Sequence, residues 1–329
     1  MYEAFVEGYP DELQARLEAR ERFARNLPGS VGDLALEYVI ETTRRWNPGQ
    51  KVRVAFSGGT PELHRQVAEV AREWPRHGYL KLDFGGTRGG ELRTWTEEDT
   101  VYAAEIRISF DQRGYWSMVG NDSIDPTIVG AGEASMNFGG FAHGLRPGWE
   151  ATVLHEFGHA LGFQHEHQSP VGGCDLDFRW EDDPGYQATT DQHGQFVADG
   201  EGRRPGIYTV LGGPPNSWPQ AKVDHNLRQL RDSHAFMVGP FDPSSIMKYA
   251  FASWMFRDGE NSRCYSQRNL ALSAEDKKGF ASAYPRGKTA RSREAARRRE
   301  LLQALAQEPA LEAPARQRYA AQLEVMIDE

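Results

Sequence analysis

The chain has 329 residues, 39% hydrophobic and 26% charged, with a formal net charge of −9. That is ordinary globular composition, enough for one large domain or two modest ones. The acidic balance argues against a general nucleic-acid binder, and no stretch approaches the ~18 apolar residues that a bilayer span needs.

The N-terminal stretch "MYEAFVEGYPDELQARLEARERFARN" is charged throughout and has no apolar h-region, so no secretory signal peptide is expected. The expected location is therefore the cytoplasm, or outside by a non-classical route. Residues 11–26 predict a helix, with Leu13, Leu17 and Phe23 among alternating charges. "LALEYVIETTRRW" (34–46) predicts a second. "KVRVAF" (51–56) alternates as a strand does and is ended by Ser57-Gly58-Gly59. Thr60 is the expected N-cap of a helix that has Pro61 at its first position and Leu63, Val67, Val70, Ala71 and Trp74 at helical spacing. "YLKLDF" (79–84) and "AEIRISF" (104–110) predict strands, and "EASMNFGG" (133–140) a shorter, Gly-bounded one. The first half thus reads as a mixed sheet carrying helices.

The second half differs. Gly172 to Pro219 is rich in Gly, Pro and Asp and predicts long loops. "SWPQAKVDHNLRQL" (217–230) and "SAEDKKGFASAY" (273–284) predict helices, the latter with Ser273 as N-cap and acids in its first turn. Beyond Pro285 the composition turns Arg- and Ala-rich, and residues 286–329 predict a helical tail in two segments. Ala296, Leu301, Leu302 and Leu305 share one face of the first segment. Tyr319, Leu323 and Met326 recur at helical spacing in the second, with Pro309 and Pro314 bracketing the break. Two such short helices are marginal alone. They are expected to pack on their own domain, or else on a partner. No internal repeat is present.

Four of the ten histidines fall in "HEFGHALGFQHEH" (155–167). His155 and His159 are four apart and share one face of a helix over 149–161. Neutral imidazoles at that spacing can hold one zinc ion. Glu156 lies beside the first and can take a proton from a metal-activated water. Gly162 stops the helix and reverses the chain, which lets His165 approach as third ligand. Three protein ligands leave a position open, the pattern of a catalytic zinc site. A bare H-E-x-x-H is a weak signal, but the extended H-E-x-x-H-x-x-G-x-x-H fixes ligands, base and turn together. His167 reads as a partly exposed loop histidine, and His143, His193, His225 and His234 as ordinary ones.

This extended motif is that of the metzincin metalloproteases. "HEFGHALGFQHEHQSP", with Glu166 after the third ligand, and "DPSSIMKYAF" (242–251) resemble the astacin family. "VRVAFSGG", "VAREW", "IRISF", "SMVG" and "LSAEDKKGFASAYP" extend the resemblance over residues 46–285. It implies an α+β, metzincin-like fold of two subdomains. These would be a mixed twisted sheet with two long helices above the cleft, and a loop-rich C-terminal part. Residues 1–45 would be an N-terminal helical extension and 286–329 the tail.

The resemblance implies a zinc-dependent endopeptidase acting on protein or peptide substrates. His155, His159 and His165 would hold zinc, and Glu156 would be general base and then general acid. Met247 would be the turn methionine beneath the metal. Tyr249 would be a fifth ligand at rest that donates to the oxyanion in turnover. Ser135, Met136, Asn137 and Phe138 would form an edge strand that pairs with substrate by strand addition. "FVEGYPD" (5–11) is similar to the aspartate-bearing pro-segment of some zymogens, with Asp11 the candidate zinc cap; the other reading is a surface segment packed on the domain.

Family members are usually secreted and often carry two disulfides. This chain has only Cys174 and Cys264, which form either one bridge or two separate thiols. In processed members the residue at Glu166 contacts the trimmed N-terminus; here residues 1–45 precede the similar region and Glu166 can pair differently. Two other functions stay open at this point. One is an inactive zinc-binding scaffold, and the other a zinc hydrolase of a non-protein amide such as peptidoglycan.

Overall fold

The computed structural model describes residues 8–25, 44–86, 90–230, 239–309 and 313–325. Most of the helix expected over 34–46 and the start of the 5–11 segment lie outside these residues, as do Met326 and the side chain of Leu301. Two compact units emerge. One comprises the described residues of Tyr9–Phe163 and Asp276–Glu329, the other those of Gln164–Asp232 and Val238–Glu275.

The first unit opens with α1 (Asp11–Arg25), whose Asp11 and Glu12 sit where the helix dipole favours negative charge. Leu13 and Leu17 are buried in a cluster with Trp116, Met118 and Ile128. Arg16 adds a bidentate contact to Glu133 (2.8 and 3.0 Å). Strand β1 (Lys51–Phe56) buries Val52, Val54 and Phe56, then ends at Gly58 and Gly59, both with positive φ. Helix α2 (Pro61–Ala71) follows as expected. Thr60 Oγ1 accepts from Leu63 N at 3.2 Å, Pro61 lacks the N–H that would be orphaned there, and Leu63, Val67, Ala68 and Ala71 are buried.

The remaining strands are β2 (Lys81–Asp83), β3 (Ile106–Ser109), β4 (Tyr115–Ser117) and β5 (Met136–Phe138). Their order in the sheet is β2-β1-β3-β5-β4. All neighbours are parallel except the β5–β4 pair, which is antiparallel. This corrects one expectation. The 133–140 strand is not an edge, because β5 is paired on both sides and every residue of it is buried. The edge on that side is β4, a three-residue strand that local periodicity did not single out. Helix α3 (Trp149–Ala160) packs near β4 and β5.

The second unit has little regular structure, as its Gly, Pro and Asp content predicts. It contains the single turn α4 (Cys174–Asp177), the two-residue strands β6 (Thr189–Thr190) and β7 (Phe196–Val197), and the short helices α5 (Ile207–Gly212) and α6 (Gln220–Leu227). Phe178, Ile207, Val223, Phe251 and Phe256 form its core. Cys174 and Cys264 are joined by a disulfide across 90 residues of sequence, with Cα atoms 5.5 Å apart. Loops are closed by side chains. The Asp199 carboxylate accepts from the N–H groups of Gln187, Glu201 and Arg203 at 2.9–3.0 Å and from Arg203 Nε at 2.8 Å.

The chain then returns to the first unit through α7 (Ala274–Ala283), α8 (Lys288–Gln307) and α9 (Ala313–Val325). Helices α8 and α9 pack together, and Leu302, Leu305 and Tyr319 are buried. Arg298 is buried and donates to Arg45 O, while Glu294 pairs with the Arg45 guanidinium at 2.9 Å. Burial, then repulsion from Arg45, pushes the Arg298 guanidinium down to about 10.

Candidate active site

Helix α3 is apolar on the sheet side, with Val153, Leu154, Phe157 and Ala160 buried. His155 and His159, one turn apart, are also buried, and their ring centroids are 4.9 Å apart. The helix ends in a Schellman arrangement. Phe163 N donates to Gly158 O (3.0 Å) and Gly162 N to His159 O (2.8 Å), with Gly162 at φ +93°. A Cβ on Gly162 would also lie 2.8 Å from Arg45 Cγ, so glycine is required twice over. Three aromatic side chains serve the carbonyls of this helix. Trp74 Nε1 donates to Leu154 O (2.8 Å), Trp46 Nε1 to Ala160 O (2.8 Å) and Tyr284 OH to Leu161 O (2.7 Å).

His155, His159 and His165 each offer one nitrogen, and the three nitrogens lie within 4.8 Å of one another. Three imidazole nitrogens gathered this closely are a donor set that suits zinc. The atoms behind the rings fit the same metal. His159 Nδ1 lies 2.8 Å from Phe163 O, and His165 Nδ1 lies 3.1 Å from Gln168 Oε1. Both contacts place the N–H on Nδ1 and leave the Nε2 lone pair for a cation. Glu156, next to the first ligand, is 1% exposed, too buried for a carboxylate whose only part is solubility.

The 242–251 segment turns at Pro243–Ser244 and again at Ile246–Met247. Met247 is buried, and its N–H donates to Ser245 Oγ at 3.0 Å. Its carbonyl accepts from Glu166 N at 3.0 Å, and Glu166 Oε1 accepts from Asp242 N at 2.9 Å. Glu166 thus pins the methionine turn at both ends. Tyr249 packs its ring 4.3 Å from His165 and 4.8 Å from His167. Lys248 Nζ donates to Tyr249 O (3.1 Å) and Ser266 Oγ (3.0 Å). Burial pushes its ammonium down to about 8, against the pull of Glu166.

His167 is not the partly exposed loop residue its position suggests. It is fully buried, its ring against those of both His165 and Tyr249 and edge-on to Phe251, with Nε2 2.9 Å from Asn226 O. Residues Ser135, Met136, Asn137 and Phe138 lie inside the sheet. Ser135 Oγ accepts from Arg107 N at 2.8 Å. Asn137 Nδ2 donates to Gln112 O (3.0 Å) and Gly114 O (2.7 Å), which ties down the 112–114 loop. The open edge is on β4. Gly139 N donates to Gly114 O and Met118 N to Ser135 O, so the even positions face β5 and the peptide groups of Tyr115 and Ser117 face outward. One outward carbonyl, Ser117 O, accepts from Tyr9 OH at 2.9 Å. Asp11 opens α1 and is exposed.

The chain is similar to solved structures. A structure of myroilysin is 27% identical, with a TM-score of 0.55 over 75% of this chain and 98% of that one. A crystal structure of myroilysin is 25% identical, with a TM-score of 0.47 over 85% of this chain and 98% of that one. High choriolytic enzyme 1, a hatching enzyme zinc-protease from Oryzias latipes, is 15% identical, with a TM-score of 0.40 over 74% of this chain and 95% of that one. No family model and no curated protein matches the chain.

Proposed function

We propose that this chain, an astacin-like zinc metalloendopeptidase, cleaves peptide bonds with Glu156 as the group that takes and returns the proton. Zinc on His155, His159 and His165 would polarise a water molecule and the scissile carbonyl. The Glu156 carboxylate accepts one proton from the attacking water and delivers it to the leaving amine nitrogen, ending ionised as it began. Its burial keeps competing water away from that proton. Tyr249 donates its hydroxyl hydrogen to the oxyanion of the tetrahedral intermediate. Met247 packs as a floor.

The substrate backbone pairs with the outward peptide groups of Tyr115 and Ser117 on β4, the strand that flanks α3. A peptide that uses Ser117 O shares it with Tyr9 OH or displaces it. Residues 46–285 make up the catalytic part, and the helices Lys288–Gln307 and Ala313–Val325 a brace folded on their own unit. The observation that carries the reading is the three-imidazole cluster with an acceptor behind His159 and His165 and a buried glutamate on the same helix.

The experiment is metal analysis beside casein cleavage. One zinc per chain is expected, with activity lost to chelator and restored by zinc. His159→Ala should lower metal content; unchanged stoichiometry in that variant overturns the ligand assignment.

A further inference from the structure

We propose that Gln168 is a positioning residue for the third ligand: it holds the His165 imidazole in the tautomer that leaves Nε2 free to bind. The inference rests on His165 being a ligand, and it names a side chain that the H-E-x-x-H motif does not contain.

Gln168 is 3% exposed, and both ends of its amide are used. Nε2 donates to His225 O at 2.9 Å and to Arg228 O at 3.0 Å. Both partners are backbone carbonyls, which can only accept. Turning the amide over would set its oxygen against two carbonyl oxygens, so the orientation is fixed by the network. Oε1 is therefore the atom that faces His165 Nδ1, at 3.1 Å. An amide oxygen can only accept, so the proton has to sit on Nδ1. A neutral imidazole carries one N–H, and Nε2 then keeps its lone pair. The backbone of Gln168 is held as well. Its N–H donates to His165 O at 3.1 Å and its carbonyl accepts from Leu230 N at 2.9 Å.

His159 receives the same service from a main-chain atom, Phe163 O. A backbone carbonyl survives any substitution, whereas the partner of His165 does not. Of these two ligands, His165 is the one whose tautomer a single side-chain change can release. With an apolar residue at 168 the Nδ1–H would be left buried beside a methyl group, and the ring would redistribute its proton or turn.

The bland alternative is that Gln168 only ties its turn to the carbonyls of His225 and Arg228. Tautomer populations separate the two. In the apo protein, 15N-labelled at histidine and held at pH 8, the His165 signal is assigned by its loss in His165→Ala. Wild type should show the Nδ1–H form. Gln168→Leu should lose that preference, and zinc competition with a chelator should show binding about 10–100-fold weaker. Gln168→Glu keeps an oxygen for His165 but gives up both donations, so it should keep the Nδ1–H form while melting lower. A wild-type His165 in the Nε2–H form overturns the proposal without recourse to any variant. So does a Gln168→Leu protein with unchanged tautomer and unchanged zinc affinity. Unchanged zinc stoichiometry in His165→Ala would instead overturn the ligand assignment beneath it.

Discussion

The turn after His159 and the turn after His165 do the same job by opposite means. The first ends a regular helix. Its carbonyls go to Trp46, Trp74 and Tyr284, its reversal is made by main-chain bonds at Gly162, and the acceptor behind His159 is itself main chain. The second is a single 3-10 turn in a unit of loops, stitched by side chains. Gln168 serves His165, Glu166 pins the methionine turn, and downstream a disulfide joins Cys174 to Cys264 across 90 residues. A backbone-built ligand site resists substitution but needs a glycine. A side-chain-built one can form in an irregular segment, but each stitch is one mutation away from failure.

The sharpest contrast is chemical. Glu156 sits on the helix and Tyr249 on the stitched side. Glu156→Gln should keep zinc and the fold yet lose about 10²–10⁴-fold in kcat, because an amide cannot accept the proton. Tyr249→Phe should lose less, chiefly in kcat and not in KM, since its hydrogen bond forms with the oxyanion. Steady-state kinetics on a quenched peptide decides this; an intact kcat in Tyr249→Phe would make that residue core.

Next in size is the disulfide. Replacing Cys174 and Cys264 by Ser reopens the 90-residue loop, worth up to roughly 4–5 kcal/mol on loop entropy and often less. Hydrogen exchange should speed in the second unit and leave α3 protected. Uniform loss of protection in both would erase the distinction between them.

Third, Trp46→Phe leaves Ala160 O without its indole donor, a cost of about 1–3 kcal/mol, read as a lower denaturation midpoint. If the melting curve does not move, the helix end is secured without aromatic donors.

The smallest effect is pH-dependent. Burial alone would raise the Asp199 carboxyl, but hydrogen bonds from Gln187 N, the Arg203 side chain and the N–H groups of Glu201 and Arg203 outweigh it and hold it below the ordinary carboxylate range. A depressed folded value means that this contribution is complete above the unfolded value of about 3.9 and is lost as pH falls through the folded one. Asp199→Asn should therefore lower the melting temperature by a constant amount from pH 7 to 5, and by less and less below pH 4. A gap that keeps its full size from pH 7 down to pH 2 would assign the effect to packing.

The helix-borne part of the site was open to reading because it obeys local rules. Thr60-Pro61, the alternation of 51–56 and the spacing of His155, His159 and Gly162 each carry their reason within a few residues. What escaped depends on distant partners. The edge of the sheet could not be assigned, because β4 is three residues long and it pairs with β5 across 18 intervening residues. Nothing local marks Trp46 and Tyr284, whose donors meet carbonyls 114 and 123 positions away. His167 looked like a loop residue because the aromatics that bury it arrive from 178, 249 and 251. The cysteine pairing stayed open for the same reason, and Gln168 carries no motif at all.

The bond from Tyr284 to Leu161 also sets an order of events during synthesis. The hydroxyl that closes the end of the zinc-bearing helix is made 123 residues after the carbonyl it serves. At about 5–20 residues per second, the ribosome delivers it roughly 6–25 s later. Arg298, which clamps the Arg45 carbonyl, follows later still. A nascent chain can therefore present all three histidines before the support behind their helix exists, and the end of that helix is among the last features of its unit to lock.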